Sequence, residues 1–511
     1  MQKTLWLLTL SLLSVPVCFA SPANAVIPQL IGPLTALLSI IPQILAFVGV
    51  AIVTSLVFAR DSTKMVFYKV RDFFTVRRTI LSVVSLVVLV GLAVFTFQLV
   101  ERGIDHSKPT VDIGTQQQKE SKMRAGSSWY TFRGDANRTG NVDGLPGPEN
   151  GTLSWPFSPK NRKMVQFFSS PAVVGNRLYI GTALGGFFSA SGVTYCIDTD
   201  TKEIVWQHES DIPIASSPAV VAGRVYIGEG FHEDSGCQLR CLDAQTGDPI
   251  WSFTTASHVE STPFITKGRL YFTAGADGIY CIDALAGEEI WHFPAVHADM
   301  SPLVKDGKVF FGTGYGDYKV YAVDADNGKE IWSKSMPYSV WGNPSSHQNL
   351  VYFGLSTGNF AESGPNPKGK VVAFNIENGD IAWEHKAGDG VLTAIVVHDD
   401  YVTFGSRDGH VYTLKATNGD IHREKDLGSP VLSSPAVTKD AMYVATEDGM
   451  IYSLNIANGD VLWEYNARTI KAGLKFISSP TIANEKLYIG SSLSYILCVG
   501  GDKVDQTIED R

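Results

Sequence analysis

The sequence lacks an excess of basic residues, a phosphate-binding loop, and the motifs of serine and metal-dependent hydrolases. Its 42 Lys and Arg are outnumbered by 51 Asp and Glu, which gives a formal net charge of −9. Neutralising nucleic-acid phosphates requires clustered Lys and Arg, so this balance argues against a nucleic-acid-binding function. Charged residues make up only 18% of the chain and aromatic residues 11%, which argues against a disordered chain and provides material for a large core.

Cysteine is also scarce, with six residues, none adjacent to another and none in a C-x-x-C-H motif. The missing motif excludes covalent c-type haem attachment. Cys237 and Cys241 would lie ~13 Å apart in one strand, too far for a disulfide unless the loop folds back. Cys18 follows Val17, whereas lipid attachment favours a small residue before the cysteine, so we do not expect a lipoprotein.

Apolar residues are concentrated in the first hundred positions. Residues 1–25 have a charged start, an apolar run and an Ala-Asn-Ala end, the order of a secretory signal peptide. Within the membrane region, 26–100, two further apolar runs at about 34–59 and 79–100 are long enough to cross a bilayer. A buried core helix is the alternative interpretation of each run. We predict two transmembrane helices.

The loop between these runs, 60–78, carries six Lys and Arg against two Asp. The positive-inside rule places such a loop in the cytoplasm. The rest of the chain would then be periplasmic, anchored in the inner membrane of a bacterium. Residues 101–128 have no apolar periodicity and predict a flexible linker, and 502–511 form a short tail.

From residue 129 to 501 the chain repeats a unit of about 40 residues and shows no helical periodicity of useful length. Each unit has a Ser-Pro-like start, an alternating apolar strand, a third strand, and a turn followed by a strand containing Trp. Four short strands per unit predict an all-β propeller. The docking positions are Trp206, Trp251, Trp291, Trp332, Trp383, Arg423 and Trp463, so that only Arg423 departs from the pattern.

An eighth unit is incomplete, because 478–501 supplies three strands and then ends. Residues 151–157 contain Trp155 and precede the first complete unit, so they can supply the missing strand. We therefore predict eight blades closed by a strand from the front of the domain, which leaves no exposed sheet edge. The seven Trp residues are interpreted as blade-docking residues whose indole N–H seeks a carbonyl across the blade gap.

The phrases CLDAQTGDPIW (241–251) and AVDADNGKEIW (322–332) resemble the tryptophan-docking motif of PQQ-type eight-bladed propellers. The segment WYTFRGDANRTG (129–140) is similar to the one that precedes the first blade in that family. The resemblance implies either a quinoprotein dehydrogenase, with pyrroloquinoline quinone (PQQ) and Ca²⁺ in the funnel, or a non-enzymatic relative. The latter branch includes the propeller lipoprotein of outer-membrane β-barrel assembly.

Two departures bring the chain nearer to the non-enzymatic branch. The vicinal cysteine pair that the dehydrogenases stack on their quinone is missing, and the compact blades leave little room for catalytic insertions. We therefore expect no cofactor, no catalytic residue and no enzymatic activity. The expected function is a membrane-anchored scaffold or sensor for envelope proteins, with a role in outer-membrane protein assembly as one form of it. A PQQ-dependent dehydrogenase acting on an alcohol or sugar is the alternative.

Candidate binding residues follow from the family's geometry, in which the first strand of each blade lines the central channel. Glu260, Asp299 and Trp341 precede three consecutive first strands and predict a funnel-rim site for a cation or polar ligand. His258 and His297 lie two residues before the acids and add to a weak metal hypothesis. A solvated rim without a ligand is the alternative.

Recognition loops are the other candidates, because loops on a rigid scaffold commonly carry binding function. The longest insertions are 181–192, 228–237 and 354–369. Cys196, Cys241, Cys281 and Cys498 occupy matching places in their units and are expected to be small buried residues rather than metal ligands.

Overall fold

A computed structural model describes residues 128–132, 134, 140, 146–160, 162, 164–185, 191–232 and 234–501. The predicted signal peptide, membrane runs and basic loop, the linker up to residue 127, and the tail lie outside them. Nothing helical in the described part of the chain has the length and apolarity needed to span a membrane.

Eight antiparallel sheets, each built on four blade strands, form the predicted propeller. Blades 1 to 4 run from inner to outer strand as β4 (Ala172–Val174), β5 (Arg177–Leu184), β6 (Ser191–Asp198), β7 (Ile204–Ser210); β8 (Ala219–Val221), β9 (Arg224–Gly228), β10 (Gln238–Asp243), β11 (Pro249–Thr254); β12 (Phe264–Thr266), β13 (Arg269–Thr273), β14 (Ile279–Asp283), β15 (Glu289–Phe293); and β16 (Leu303–Lys305), β17 (Lys308–Gly312), β18 (Lys319–Asp324), β19 (Glu330–Ser335).

Blades 5 to 8 follow the same order. They contain β20 (Ser339–His347), β21 (Leu350–Ser356), β22 (Gly369–Asn375), β23 (Ile381–Ala387); β24 (Val396–His398), β25 (Tyr401–Gly405), β26 (His410–Lys415), β27 (Ile421–Asp426); β28 (Ala436–Val437), β29 (Ala441–Ala445), β30 (Met450–Asn455), β31 (Val461–Asn466); and β32 (Thr481–Ala483), β33 (Lys486–Gly490), β34 (Ile496–Val499) with β2 (Leu153–Phe157). Two short strands, β1 (Ser128–Trp129) and β3 (Val165–Gln166), join blade 1, and a 3₁₀ turn spans Ala467–Thr469.

Ring closure occurs as predicted. The strand β2 pairs antiparallel with β34, from Leu153 opposite Val499 to Phe157 opposite Ile496. Just before β2, the carbonyl oxygen of Thr152 accepts a hydrogen bond from the Gly500 N–H at 2.8 Å. The eighth sheet is therefore made from both ends of the domain, and the prediction of eight blades is confirmed.

The repeated turn and its Trp interlock neighbouring blades. Five of the docking indoles donate their N–H to a backbone carbonyl of the next blade at 2.9–3.1 Å. The pairs are Trp206 with Ala244, Trp291 with Ala325, Trp332 with Ile376, Trp383 with Ala416, and Trp463 with Pro148. The indole N–H groups of Trp155 and Trp251 have no partner within the described residues.

Six of the seven docking indoles, and Arg423, also lie against a glycine of the next blade. A Cβ atom on any of these glycines would approach the docking side chain to within 2.4–2.7 Å, closer than real Cβ contacts. The pairs are Gly247 with Trp206, Gly287 with Trp251, Gly328 with Trp291, Gly379 with Trp332, Gly419 with Trp383, Gly459 with Arg423, and Gly151 with Trp463. The glycine of each of these turns therefore both allows the chain to reverse and leaves space for the docking side chain of the neighbouring blade.

Arg423 takes the place of Trp between blades 6 and 7. Its guanidinium donates to the carbonyl oxygen of Ile456 at 3.1 Å and to that of Ala457. Its Cδ occupies the space over Gly459. The side chain therefore makes the docking contacts with less apolar surface than an indole provides.

We expect Arg423→Trp to raise the free energy of unfolding by about 1 kcal/mol, because it restores the indole contact made by the other blades. Urea denaturation of the full chain would measure the gain. Glu424→Trp, one residue along the same strand, adds an indole without a docking position and should give no gain. Equal effects of the two substitutions would contradict the docking role.

A segment before the first blade lies inside the central channel. The strand β1 pairs antiparallel with β4, with Ser128 opposite Val174, the last residue of β4. The carbonyl oxygen of Tyr130 accepts from Val220 N–H in blade 2, and that of Gly140 accepts from Val437 N–H in blade 7. The chain's own backbone is therefore bonded to inner strands on several sides of the channel.

Candidate functional site

The residues just before the Ser-Ser-Pro-like triplets surround one cavity at the mouth of the channel. Seven of them precede the first strand of their blade, and Trp341 lies within β20. The volume of the cavity is about 760 Å³, within the range of ligand-binding pockets. All eight of these positions line it: Phe168, Ala215, Glu260, Asp299, Trp341, Leu392, Leu432 and Ile477. Phe132 of the channel segment also lines it. We call this cavity the mouth.

Two of the three long insertions reach the mouth. Phe231, His232 and Asp234 come from the blade 2 insertion, and Asn359 and Phe360 come from the blade 5 insertion. The blade 5 insertion is held against blade 6, where the guanidinium of Arg407 donates to Asn359 O at 2.9 Å. The blade 1 insertion contributes no described residue to the lining, and its residues 186–190 lie outside the described part.

An imidazole joins two predicted rim residues. The Nε2 atom of His258 lies 2.9 Å from Asp299 Oδ1 and 3.7 Å from Glu260 Oε1, and the imidazole is only 4% exposed. The backbone N–H of His232 donates to Glu260 Oε1 at 2.6 Å. The two acids from blades 3 and 4 are therefore brought together, and each is oriented by a bond through one of its oxygens.

His297 does not join this cluster. Its ring lies edge-on to Tyr315, with centroids 6.0 Å apart. The metal hypothesis used both histidines, and the structure brings only His258 to the acids. Within the described ranges, no group of three His, Cys, Asp or Glu side chains is arranged to hold a metal ion.

Charge and burial act in opposite directions on His258. Burial disfavours its charged form, but the hydrogen bond to Asp299 and the charges of Glu260 and Asp299 outweigh burial, so the pKa of His258 is raised. Burial also raises the pKa of Glu260, and the nearby Asp299 adds to this, against the opposing effect of His258 and His232. The protonated form of each of these two groups is therefore favoured relative to its ordinary range.

We expect Asp299→Asn to lower the pKa of His258, because the substitution removes the carboxylate that stabilises the imidazolium. A raised histidine pKa stabilises the fold fully below the ordinary value of 6.5, and this contribution is lost as the pH rises through the folded-state value. The stability difference between wild type and variant should therefore shrink as the pH rises through that range.

Titration of labelled histidines by NMR, with the His258 signal assigned by His258→Gln, and urea denaturation at several pH values would measure both effects. Glu384→Gln, which removes a partly exposed carboxylate on an outer strand, should leave the His258 titration unchanged. An unchanged His258 pKa in Asp299→Asn would contradict the assignment.

Aromatic side chains form the remaining walls. Phe168 and Phe231 are stacked with centroids 5.5 Å apart, and Tyr315 meets Trp341 edge-on at 5.4 Å. Tyr315 and Phe360 remain 43% and 38% exposed, and the amide of Asn359 lies 3.3 Å from the Tyr315 hydroxyl. The mouth thus combines buried carboxylates with an exposed aromatic rim.

The lining does not fit an anionic quinone. Four carboxylates face the mouth, from Asp234, Glu260, Asp277 and Asp299, and no Lys or Arg occurs among the lining residues described. PQQ carries three carboxylates, which this set repels. The buried cysteines supply no alternative chemistry, because burial raises the pKa values of Cys196, Cys237, Cys281 and Cys498 to about 12 and keeps the thiols protonated. All five described cysteines are free.

Sequence reasoning placed the three rim residues but missed those that the insertions and turns contribute. Phe231 and His232 lie in the blade 2 insertion, Phe360 in the blade 5 insertion, and Tyr315 in a turn. The signal available was loop length together with aromatic residues in a polar loop. Phe132, in the segment before the first blade, carried no such signal.

Comparisons with known proteins agree with the fold. The profile of the family described as "Outer membrane protein assembly factor BamB" matches residues 139–254, 231–359 and 367–504. Among solved structures, BamB from Moraxella catarrhalis superposes with a TM-score of 0.53 at 18% identity, over 70% of this chain and 99% of that one. Quinohemoprotein alcohol dehydrogenase from Comamonas testosteroni gives 0.58 at 14% identity, over 78% and 84%.

Two curated relatives align over shorter segments. Quinoprotein alcohol dehydrogenase PedH of Pseudomonas putida is 27% identical over 131 residues, and outer membrane protein assembly factor BamB of Moranella endobia is 26% identical over 129. Each alignment covers 23% of this chain, and they span 21% and 30% of the two relatives' lengths. Because the family profile covers most of the propeller, this chain belongs to the PQQ-like β-propeller family described as Outer membrane protein assembly factor BamB.

Proposed function

We propose that this protein is an extracytoplasmic scaffold, anchored in the bacterial inner membrane by two helices, which binds envelope proteins at the mouth of its propeller. Outer-membrane protein assembly is the process in which we place it. The family supports a protein-binding role, since its description names an assembly factor. The membrane anchor rests on the apolar runs and the basic loop of residues 34–100.

The convergence of two long insertions on one mouth is the observation that carries the proposal. Insertions into a repeat lengthen loops without helping the ring to close, so their convergence indicates selection for a shared surface. Tyr315 and Phe360 expose large aromatic faces beside it. Exposed aromatic residues around a polar centre are typical of protein-binding surfaces.

Site-specific photocrosslinking in the native cell would test the proposal. A photoreactive phenylalanine at Phe360 or Tyr315 should crosslink to discrete envelope proteins, identified by mass spectrometry as components of outer-membrane assembly. Photoreactive phenylalanine at Ile421 or Leu462, which are exposed on outer strands, should not crosslink to these proteins. Crosslinks that appear only at the outer-strand positions, or none at any position, would refute the scaffold function.

The second candidate function, a PQQ-dependent dehydrogenase, is favoured by the 27% identity with quinoprotein alcohol dehydrogenase PedH. The carboxylate-rich mouth opposes it. Incubation of the purified full chain with PQQ and Ca²⁺ would decide between them. Dye reduction with alcohols or sugars, together with a quinone absorbance that co-elutes with the protein, would establish the dehydrogenase.

A further inference from the structure

The charge of the mouth is unbalanced on one side. The acids Asp234, Glu260, Asp277 and Asp299 all belong to blades 2 to 4, and the described lining contains no Lys or Arg to offset them. Asp277 is used internally, because its Oδ2 accepts from Ala256 N–H and the Tyr280 hydroxyl. Asp234 accepts one bond, from Phe231 N–H to its Oδ2. Glu260 and Asp299 differ from Asp234 because they occupy equivalent positions of adjacent blades and are brought together by His258.

Each of these two carboxylates has one oxygen in use and one without a partner. Glu260 Oε1 is bonded to His232 N–H and Asp299 Oδ1 to His258, whereas Glu260 Oε2 and Asp299 Oδ2 have no hydrogen-bond partner within the described residues. The Asp299 side chain is only 8% exposed and that of Glu260 18%. Carboxylate oxygens that lack a protein donor, on side chains this little exposed, favour a ligand that supplies N–H groups.

The aromatic residues beside the acids narrow the choice of ligand. Trp341 is 8% exposed, lines the mouth next to Asp299 in blade order, and packs against Tyr315. A guanidinium group pairs with carboxylates through planar N–H donors and also stacks on aromatic faces. A guanidinium can pair with two carboxylates and stack on an aromatic face at once, whereas an ammonium ion, which also attracts aromatic faces, lacks the planar fork of N–H donors.

We infer that the mouth binds an arginine side chain carried by a loop of a partner protein, with Glu260 and Asp299 pairing its guanidinium and the aromatic residues packing beside it. The cavity of about 760 Å³ accommodates a loop tip as well as one side chain. The exposed rim at Tyr315 and Phe360 gives the flanking residues an apolar surface. The inference rests on the proposed function and names the chemistry of the partner.

A pair of blocked pentapeptides tests it, with either arginine or its neutral analogue citrulline between glycines. Binding to the full chain in detergent would be measured by saturation-transfer NMR with the peptide in excess. We expect the arginine peptide to bind at least ten-fold more tightly. Asp299→Asn and Glu260→Gln should each reduce this preference about ten-fold, whereas Glu384→Gln on an outer strand should preserve it. Circular dichroism would establish that each variant is folded.

Equal binding of the two peptides, or an arginine preference that survives both mouth substitutions, would overturn the inference. The crosslinking experiment separates this result from failure of the proposed function. If Phe360 still crosslinks to assembly proteins while the arginine peptide shows no preference, the scaffold stands and the arginine contact is wrong. In the supporting result, the crosslinked segment contains arginine and its yield falls in Asp299→Asn.

Discussion

Deletion of residues 150–158 is expected to leave the propeller unable to fold into a closed ring. The deletion removes β2, the outer strand of blade 8, together with its pairing to β34 from Leu153 to Phe157. It also removes Trp155, which is 5% exposed and packs with Tyr488 of the same blade at 6.0 Å. Blade 8 would be left with an exposed edge and an open side facing blade 1.

The effect should be global because each blade is stabilised by two neighbours. The deletion also removes Gly151, so Trp463 of blade 7 loses a packing contact with blade 8. We expect no cooperative thermal transition by circular dichroism and digestion by a low dose of protease, under conditions where wild type resists. A deleted chain that melts cooperatively within a few degrees of wild type would show that closure is dispensable.

A rescue experiment separates ring closure from general damage. The Asn150 amide lies 3.4 Å from the Gly501 carbonyl oxygen, so the start of the deleted segment is next to the end of β34. Replacing residues 150–158 by a Gly-Ser linker of the same length, and appending the removed segment after Gly501 through a short turn, would recreate β2 as the second strand of a hairpin. This variant should recover cooperative melting, whereas the same nine residues in scrambled order should not.

The repeated phrase allowed the architecture to be predicted from the sequence. Turn, glycine and Trp recur at nearly constant spacing, and this regularity fixes the blade number and the closing strand. We also predicted that each indole N–H donates to a carbonyl across the blade gap, and five of the seven Trp residues do so. The contact between six of these Trp residues and a glycine of the next blade was not predicted, since it depends on how two blades meet.

The mouth was less accessible to sequence reasoning. Glu260, Asp299 and Trp341 were found because they occupy one register position in successive repeats. The link between the acids through His258 depends on a side-chain rotamer, which the repeat does not specify. The contributions of Phe231 and Phe360 depend on the direction in which long loops fold, and Phe132 depends on a segment outside the repeat.

Gly328→Ala is expected to destabilise the protein far more than Gly307→Ala, although both glycines lie in blade 4. Their φ angles are nearly the same, at +70° and +73°, so each substitution carries a left-handed backbone penalty of about 1 kcal/mol. A Cβ on Gly307 meets nothing within 4 Å, whereas one on Gly328 would lie 2.7 Å from Trp291 Cε3. Overpacking should add about 1–3 kcal/mol at Gly328 alone.

Combining Gly328→Ala with Trp291→Ala identifies the origin of this difference. Trp291→Ala alone should lower the free energy of unfolding by about 3–5 kcal/mol, because it removes a buried indole and its bond to Ala325 O at 3.0 Å. In that background Gly328→Ala should lower the free energy of unfolding by the backbone penalty alone, about 1 kcal/mol, as Gly307→Ala does. Urea denaturation of the four combinations measures the coupling. Additive effects would mean that Gly328 is required by its turn alone, and a coupling of 1–3 kcal/mol would mean that it is also required by the neighbouring blade's Trp.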